Sequence, residues 1–266
     1  MFLTLIYRKK IEVKKFNNKT SKLAFLNFKK RFKVPFLYCI LVLFPLNILA
    51  QNDIGTWNVL NFNAKFTDHW SAFAETQVRS ISFYNNFHYH EFKIGANYLL
   101  LKNFVATAGI GSYATYSEIG NFESPIQNKE IRTWTQFAIK TPLDRVLFEN
   151  RFRFEQRFTS NGYRNRYRIR IGATIPINHF KIQPKTISFI GWNELFFTNK
   201  EPYFERNRIF LGFGYEMNNH FSFQTGYISQ FDYKINDETG KDFINISLLY
   251  QLDLRKKKQY QQTNLD

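Results

Sequence analysis

Glu149-Asn-Arg-Phe-Arg-Phe-Glu-Gln-Arg157 and Arg164-Asn-Arg-Tyr-Arg-Ile-Arg-Ile-Gly172 both alternate polar with apolar side chains. Successive side chains on a strand point to opposite faces, so each stretch has one greasy face and one charged face. In the first, Phe148, Phe152, Phe154 and Phe158 oppose Glu149, Arg151, Arg153, Glu155 and Arg157. In the second, Tyr167, Ile169, Ile171, Ala173 and Ile175 oppose Arg164, Arg166, Arg168 and Arg170. A soluble sandwich also alternates, with its charged face in water and its other face against a second sheet. The start of the chain separates the two cases.

Residues 1–33 are rich in lysine, 34–49 are apolar, and Asn47-Ile-Leu-Ala50 precedes Gln51. A basic stretch, an apolar stretch and a small residue at the break describe a secretory signal peptide over residues 1–50, here with a long basic region. The apolar run holds Pro35 and Pro45 and falls short of the ~20 residues a spanning helix needs. Cys39, the one cysteine of the chain, lies inside that run, so the exported part has neither a disulfide framework nor a thiolate metal site. The full chain carries +16, of which residues 1–50 hold +10, leaving +6. Basicity is therefore mostly a targeting feature and no argument for nucleic acid.

After the leader, no Pro/Gly/Ser linker and no helical period divides residues 51–254, which read as one β domain followed by a basic polar tail, 255–266. Strand-like segments fall at 56–66, 70–82, 87–100, 103–116, 129–140, 147–158, 163–176, 185–198, 205–216, 220–233 and 241–254. Thr67-Asp-His69, Leu101-Lys102, Pro142-Leu-Asp-Arg145 and Met217-Asn-Asn219 are tight connections; Ser117–Asn128, Thr159–Gly162, Asn199–Phe204 and Lys234–Gly240 alternate with them and are longer. Short turns at one end and longer loops at the other describe an antiparallel transmembrane β-barrel of about 10–12 strands, with periplasmic turns and extracellular loops. Single-chain bacterial barrels have even strand numbers, which makes the expected count 10 or 12 rather than eleven.

The outward set includes Leu60, Phe62, Trp70, Ala72, Val78, Phe104, Ile110, Ile209, Phe213, Phe221 and Phe231 and is almost free of charge. That is expected where Arg or Lys at the bilayer centre costs ~2–4 kcal/mol. Aromatic residues make up 19% of the chain, enough for girdles at both interfaces. The inward set carries Arg132, Arg151, Arg153, Arg157, Arg164, Arg166, Arg168, Arg170, Arg206 and Arg208 against Glu130, Glu149, Glu155, Glu194 and Glu216, with Glu75 and Glu91 across the lumen. Pairing Lys140 with Leu147 sets Glu130 against Arg157, Arg132 against Glu155, Trp134 against Arg153 and Gln136 against Arg151, the register that charge favours. Glu155 is expected to reach Arg166 or Arg168, and Glu194 to pair with Arg206 or Arg208. A dry lumen does not hold an uncompensated surplus, so water, ions or an anionic ligand are expected there.

Glu130-Ile-Arg-Thr-Trp134, Arg151-Phe-Arg-Phe-Glu-Gln-Arg157, Arg166-Tyr-Arg168, Asn193-Glu-Leu-Phe196 and Asn207-Arg208 with Gly212-Phe-Gly-Tyr215 resemble the domain-of-unknown-function 2490 (DUF2490) family of Gram-negative outer-membrane proteins. The resemblance covers nearly all of residues 54–254. It implies an outer-membrane barrel and supplies no reaction and no ligand.

Catalytic groups are sparse. His88 and His90 are read on one strand face with Ser80 and Ser82 on the preceding strand, but no third group at fixed spacing completes a triad. Two histidines without a third ligand cluster make no metal site, and Gly109-Ile-Gly111 and Gly212-Phe-Gly214 sit within strands with no helix after them, unlike phosphate loops. The expected protein is a non-enzymatic outer-membrane barrel without cofactor, either structural or a narrow anion-preferring pore. The alternative is a lipid-modifying hydrolase or acyltransferase. Outer-membrane lipid and the barrel-assembly machinery are the expected partners, with a small anion as candidate ligand and no nucleic acid.

Overall fold

The structure, a computed structural model, describes residues 54–255 apart from Ile119, Ser124, Asn236 and Asp237. The signal peptide, its cleavage site and the tail beyond Arg255 lie outside the described residues. Eleven strands follow one another: β1 Gly55–Lys65, β2 Trp70–Ser82, β3 Asn85–Leu101, β4 Phe104–Tyr116, β5 Ile126–Leu143, β6 Val146–Thr159, β7 Gly162–Pro176, β8 Ile187–Thr198, β9 Phe204–Glu216, β10 Phe221–Asp232 and β11 Thr239–Asp253. Each expected segment is present, with its ends within about three residues of the reading.

Every strand pairs with its sequence neighbours, and β1 closes the barrel on β11. The count of eleven corrects the expected 10 or 12. Hairpins reverse the chain at each step, so the first and eleventh strands run the same way, and their pairing is parallel, Gly55 against Phe243 through Lys65 against Asp253. Ten pairings are antiparallel and this one is not. The start of β1 and the end of β11 consequently lie at opposite ends of the barrel.

Turns 66–69, 102–103, 144–145 and 217–220 share one end with the segment 177–186. Connections 83–84, 117–125, 160–161, 199–203 and 233–238 share the other. The division into short and long ends is thus partial, because 177–186 is the longest connection and sits among the tight turns. The stretch 177–184 lies between two expected strands without being counted among the longer connections. Arg145 holds it in place from the neighbouring turn, its Nη2 donating to the carbonyls of Pro176, Ile177 and His179 at 2.6, 3.2 and 3.0 Å.

The β5–β6 hairpin corrects the expected register. Leu143 opposes Val146 across the two-residue turn Asp144-Arg145, which sets Arg132 against Arg157, Trp134 against Glu155 and Gln136 against Arg153. This is two residues from the charge-favoured register. Loop length and turn type fix hairpin register, and Asp144 takes a φ of 54°, a left-handed conformation that Asp tolerates and β-branched residues do not. Asp144→Val is therefore expected to destabilise the barrel by about 1–2 kcal/mol, while Asp144→Gly is close to neutral. Urea unfolding of the two variants side by side checks the pair.

Outer-face strand positions expose Leu60, Phe92, Ile94, Phe137, Phe152, Ile169, Ile209 and Phe213. The strand registers place only Lys129 and Asp242 as Asp, Glu, Lys or Arg on this face, each the fourth residue of its strand and both near the same end. Aromatic pairs mark both ends, with Phe62–Tyr250 and Trp70–Tyr98 at one and Phe158–Tyr163 and Tyr116–Phe122 at the other. No helix among the described residues is long and apolar enough to cross a membrane, a statement that does not bear on strands.

Candidate functional site

The alternation of β6 and β7 turns every second side chain into the lumen, where a cavity of about 500 Å3 is lined by thirteen Arg and Lys and six Asp and Glu. Glu155 and Glu194 lie fully buried behind this lining. Each carboxylate gathers several guanidiniums, because a carboxylate offers about four acceptor sites and each guanidinium presents five donors.

Glu130 accepts from Arg132 Nε and Nη2 at 2.7 and 2.8 Å and from Arg157 Nη2 at 2.8 Å, with a further bond from Arg157 Nε. The opposed arginines Arg132 and Arg157 therefore share a carboxylate that lies diagonally, two residues along β5. Charge is satisfied across the lumen in three dimensions, so directly opposed pairs did not reveal the register.

Glu155 accepts from Arg168 Nη1 at 2.7 Å, with Arg153 Nη1 at 3.5 Å and Arg166 Nη1 at 3.7 Å. The expected reach from Glu155 to Arg166 or Arg168 is present. Glu194 accepts from Arg151 Nη2 at 2.6 Å, Arg168 Nη2 at 2.9 Å and Arg170 Nη2 at 3.1 Å. Its expected partners Arg206 and Arg208 turn elsewhere, although Arg208 is its cross-strand neighbour. Arg206 bonds Asp232, and Arg208 Nε donates to Gln230 at 2.8 Å.

Aromatic rings separate the charged layers. Phe196, almost fully buried, has the guanidinium carbons of Arg166, Arg168, Arg206 and Arg208 at 5.7, 4.6, 5.8 and 4.8 Å from its centroid. Arg170 lies 3.9 Å over Trp192 and Arg153 lies 5.3 Å from Trp134. Trp134 lies against Gly109, where an added Cβ would stand 2.3 Å from the indole ring, so only glycine admits this packing. Cations over ring faces at such distances are attracted to the negative quadrupole face.

Two bulges bring in residues that strict alternation misses. An extra residue in one strand lifts a side chain out of the period. At the Phe196/Phe197 irregularity Glu205 is left without a cross-strand partner and turns inward, accepting from Arg166 Nε at 2.9 Å and lying 3.6 Å from Arg164 Nη2. At the Arg79/Ser80 irregularity His88 is likewise extra and lines the cavity. A second network also escaped the reading. Lys93 bridges Glu75 and Glu91, its Nζ 2.6 Å from Glu91, and Arg79 stacks 3.4 Å over Trp57. Near the mouth, a hydrogen bond from Lys241 holds the Glu118 carboxyl below the usual carboxylate range.

His88 and His90 do not share a face, which corrects the sequence reading. His88 is buried in the lumen, whereas His90 is exposed and lies 3.3 Å from the Tyr116 hydroxyl. Ser80 is fully buried, and its hydroxyl accepts from Thr56 N at 3.0 Å and pairs with Thr56 Oγ1 at 2.6 Å. Among the described residues no cluster of three metal-ligating side chains occurs.

A second cavity at the opposite end is lined by Asn63, Asn97, Gln251 and their neighbours and shares no lining residue with the first.

A family model described as a protein of unknown function (DUF2490) matches residues 54–241, from the residue before β1 into β11. No curated protein and no solved structure matches the chain. With a match over more than half its length, and with the Arg/Glu strands that carry the resemblance forming one lumen, the chain belongs to the domain-of-unknown-function 2490 (DUF2490) family.

Proposed function

We propose that the protein spans an outer membrane as a non-enzymatic barrel whose charge-filled lumen braces the wall. One observation carries this reading: the outer face is a nearly charge-free belt of exposed Phe, Ile and Leu with aromatic pairs at both ends. Soluble monomers rarely expose contiguous apolar patches beyond a few hundred Å2, and a closed sheet is the β-form that leaves no backbone group unpaired in lipid. The multiply bonded Glu130 and Glu194, and Glu155 with three arginines around it, favour bracing over conduction. Outer-membrane lipid and the barrel-assembly machinery are the partners that go with this role.

Fractionation tests the reading. Recovery in the membrane fraction, with detergent needed for extraction, is expected; a freely soluble exported protein overturns it. A narrow anion-preferring pore is the second reading, supported by the excess of thirteen Arg and Lys over eight Asp and Glu in and behind the cavity wall. Planar-bilayer recording separates the two. No current is expected for the brace, whereas anion-biased current that falls in Arg166→Gln/Arg168→Gln supports the pore. Turnover of phospholipid by the same preparation overturns both in favour of a lipid-modifying enzyme.

A further inference from the structure

The excess positive charge is unevenly spread through the lumen. Lys93 and Arg79 balance Glu75 and Glu91, while Glu130 faces Arg132 and Arg157, Glu205 faces Arg157, Arg164 and Arg166, and Asp232 faces Arg206. Both the group around Glu130 and Glu205 and the layer around Glu155 and Glu194 carry surplus positive charge, but in the latter the surplus coincides with unmet hydrogen-bond donors. Arg151, Arg153, Arg168 and Arg170 converge on Glu155 and Glu194, leaving two positive charges over once Arg166, 3.7 Å from Glu155, is assigned to its closer partner Glu205. Arg151 is directly opposite Arg170, and Arg153 directly opposite Arg168. Like charges facing each other across strands repel.

Hydrogen bonding in this layer is as incomplete as its charge. Arg151 and Arg170 each give one hydrogen bond to Glu194, and the Nε of both is buried with no partner in the protein. The indole Nε1 of Trp134, beneath Arg153, is buried and unpartnered as well. Arg153 spends two donors on the neutral Gln136 Oε1, at 2.8 and 2.6 Å. Buried polar groups without partners are rare, and a buried donor without one calls for a water or an ion beside it. Three of the four unmet groups of the layer are donors, the fourth being Glu155 Oε2 with Arg166 Nη1 3.7 Å away, and an anion supplies acceptors and charge together.

We infer that the Arg151–Arg153–Arg170 side of the lumen is a binding site for a small doubly charged oxyanion of the phosphate class. Two surplus charges match a dianion, and fork-shaped guanidiniums match its tetrahedral oxygens. A cavity of about 500 Å3 accommodates such an ion with several waters, each needing ~30 Å3. The site follows from the lumen alone and goes beyond the envelope role.

The test uses the full barrel folded in detergent micelles, with inorganic phosphate as the probe and potassium chloride at matched ionic strength as reference. Calorimetry follows binding, and tryptophan emission reports on Trp134 and Trp192. Saturable phosphate binding is expected, competed by sulfate and not by chloride. The double variant R151Q/R170Q should weaken it more than tenfold, and Lys102→Gln in a remote turn should leave it unchanged. Should the double variant not fold, Arg153→Lys keeps the charge and loses the fork, and it should weaken binding at least threefold. A response no larger than that of chloride overturns the inference, as does undiminished phosphate affinity in a folded R151Q/R170Q or Arg153→Lys barrel.

Discussion

Glu194→Gln is expected to be among the most damaging single changes in this barrel, lowering stability by about 3–5 kcal/mol. Glu194 is fully buried and accepts from Arg151, Arg168 and Arg170. The amide keeps the volume and one acceptor oxygen but brings an N–H pair toward guanidiniums that have only donors. Arg151 and Arg170 then have no carboxylate partner and Arg168 keeps only Glu155, and uncompensated buried charge is the costly case. Glu149→Gln is the contrast. Its partner Lys140 lies 3.7 Å away, with the two side chains 34% and 55% exposed, so the loss should be under about 1 kcal/mol. Urea unfolding followed by tryptophan emission compares the two. Equal, small effects would mean that the lumen is as well hydrated as a surface.

Phe152→Arg carries the second large effect, and its size depends on what surrounds the barrel. Phe152 sits midway along β6, exposed on the outer face between Phe137 and Ile169. At mid-bilayer an arginine there costs about 2–4 kcal/mol, so the variant should fold poorly into vesicles. On a water-facing surface the same change stays within about 0.5 kcal/mol and should raise solubility. Comparing folded yields in lipid vesicles with those of the lumen-facing variant Arg153→Lys, which lacks this lipid penalty, reads the difference. Full insertion of Phe152→Arg would remove the main support for a membrane-spanning barrel.

The eleven strand-like segments, their approximate ends and the face most side chains take were legible in the sequence, because a period of two is local and survives any tertiary arrangement. Phe152 outward and Arg153 inward needed no structure. The arginine lumen was legible for the same reason, as was the reach from Glu155 to Arg168.

Other features depended on contacts between distant parts of the chain. Parity was one, since a strand's own residues do not say whether β1 will meet β11 in parallel. Register was another: the left-handed Asp144 in a two-residue turn set it, and the charges adapted diagonally across the lumen. Glu205 and His88 enter the lumen only because a bulge adds one residue to the period, a defect that alternation reads as the opposite face. Glu194 shows the same limit, as its partners come from β6 and β7 and not from the adjoining β9. Local alternation decides which side chains enter a barrel; closure, turns and bulges decide which of them meet, because those depend on where the two ends of the sheet join.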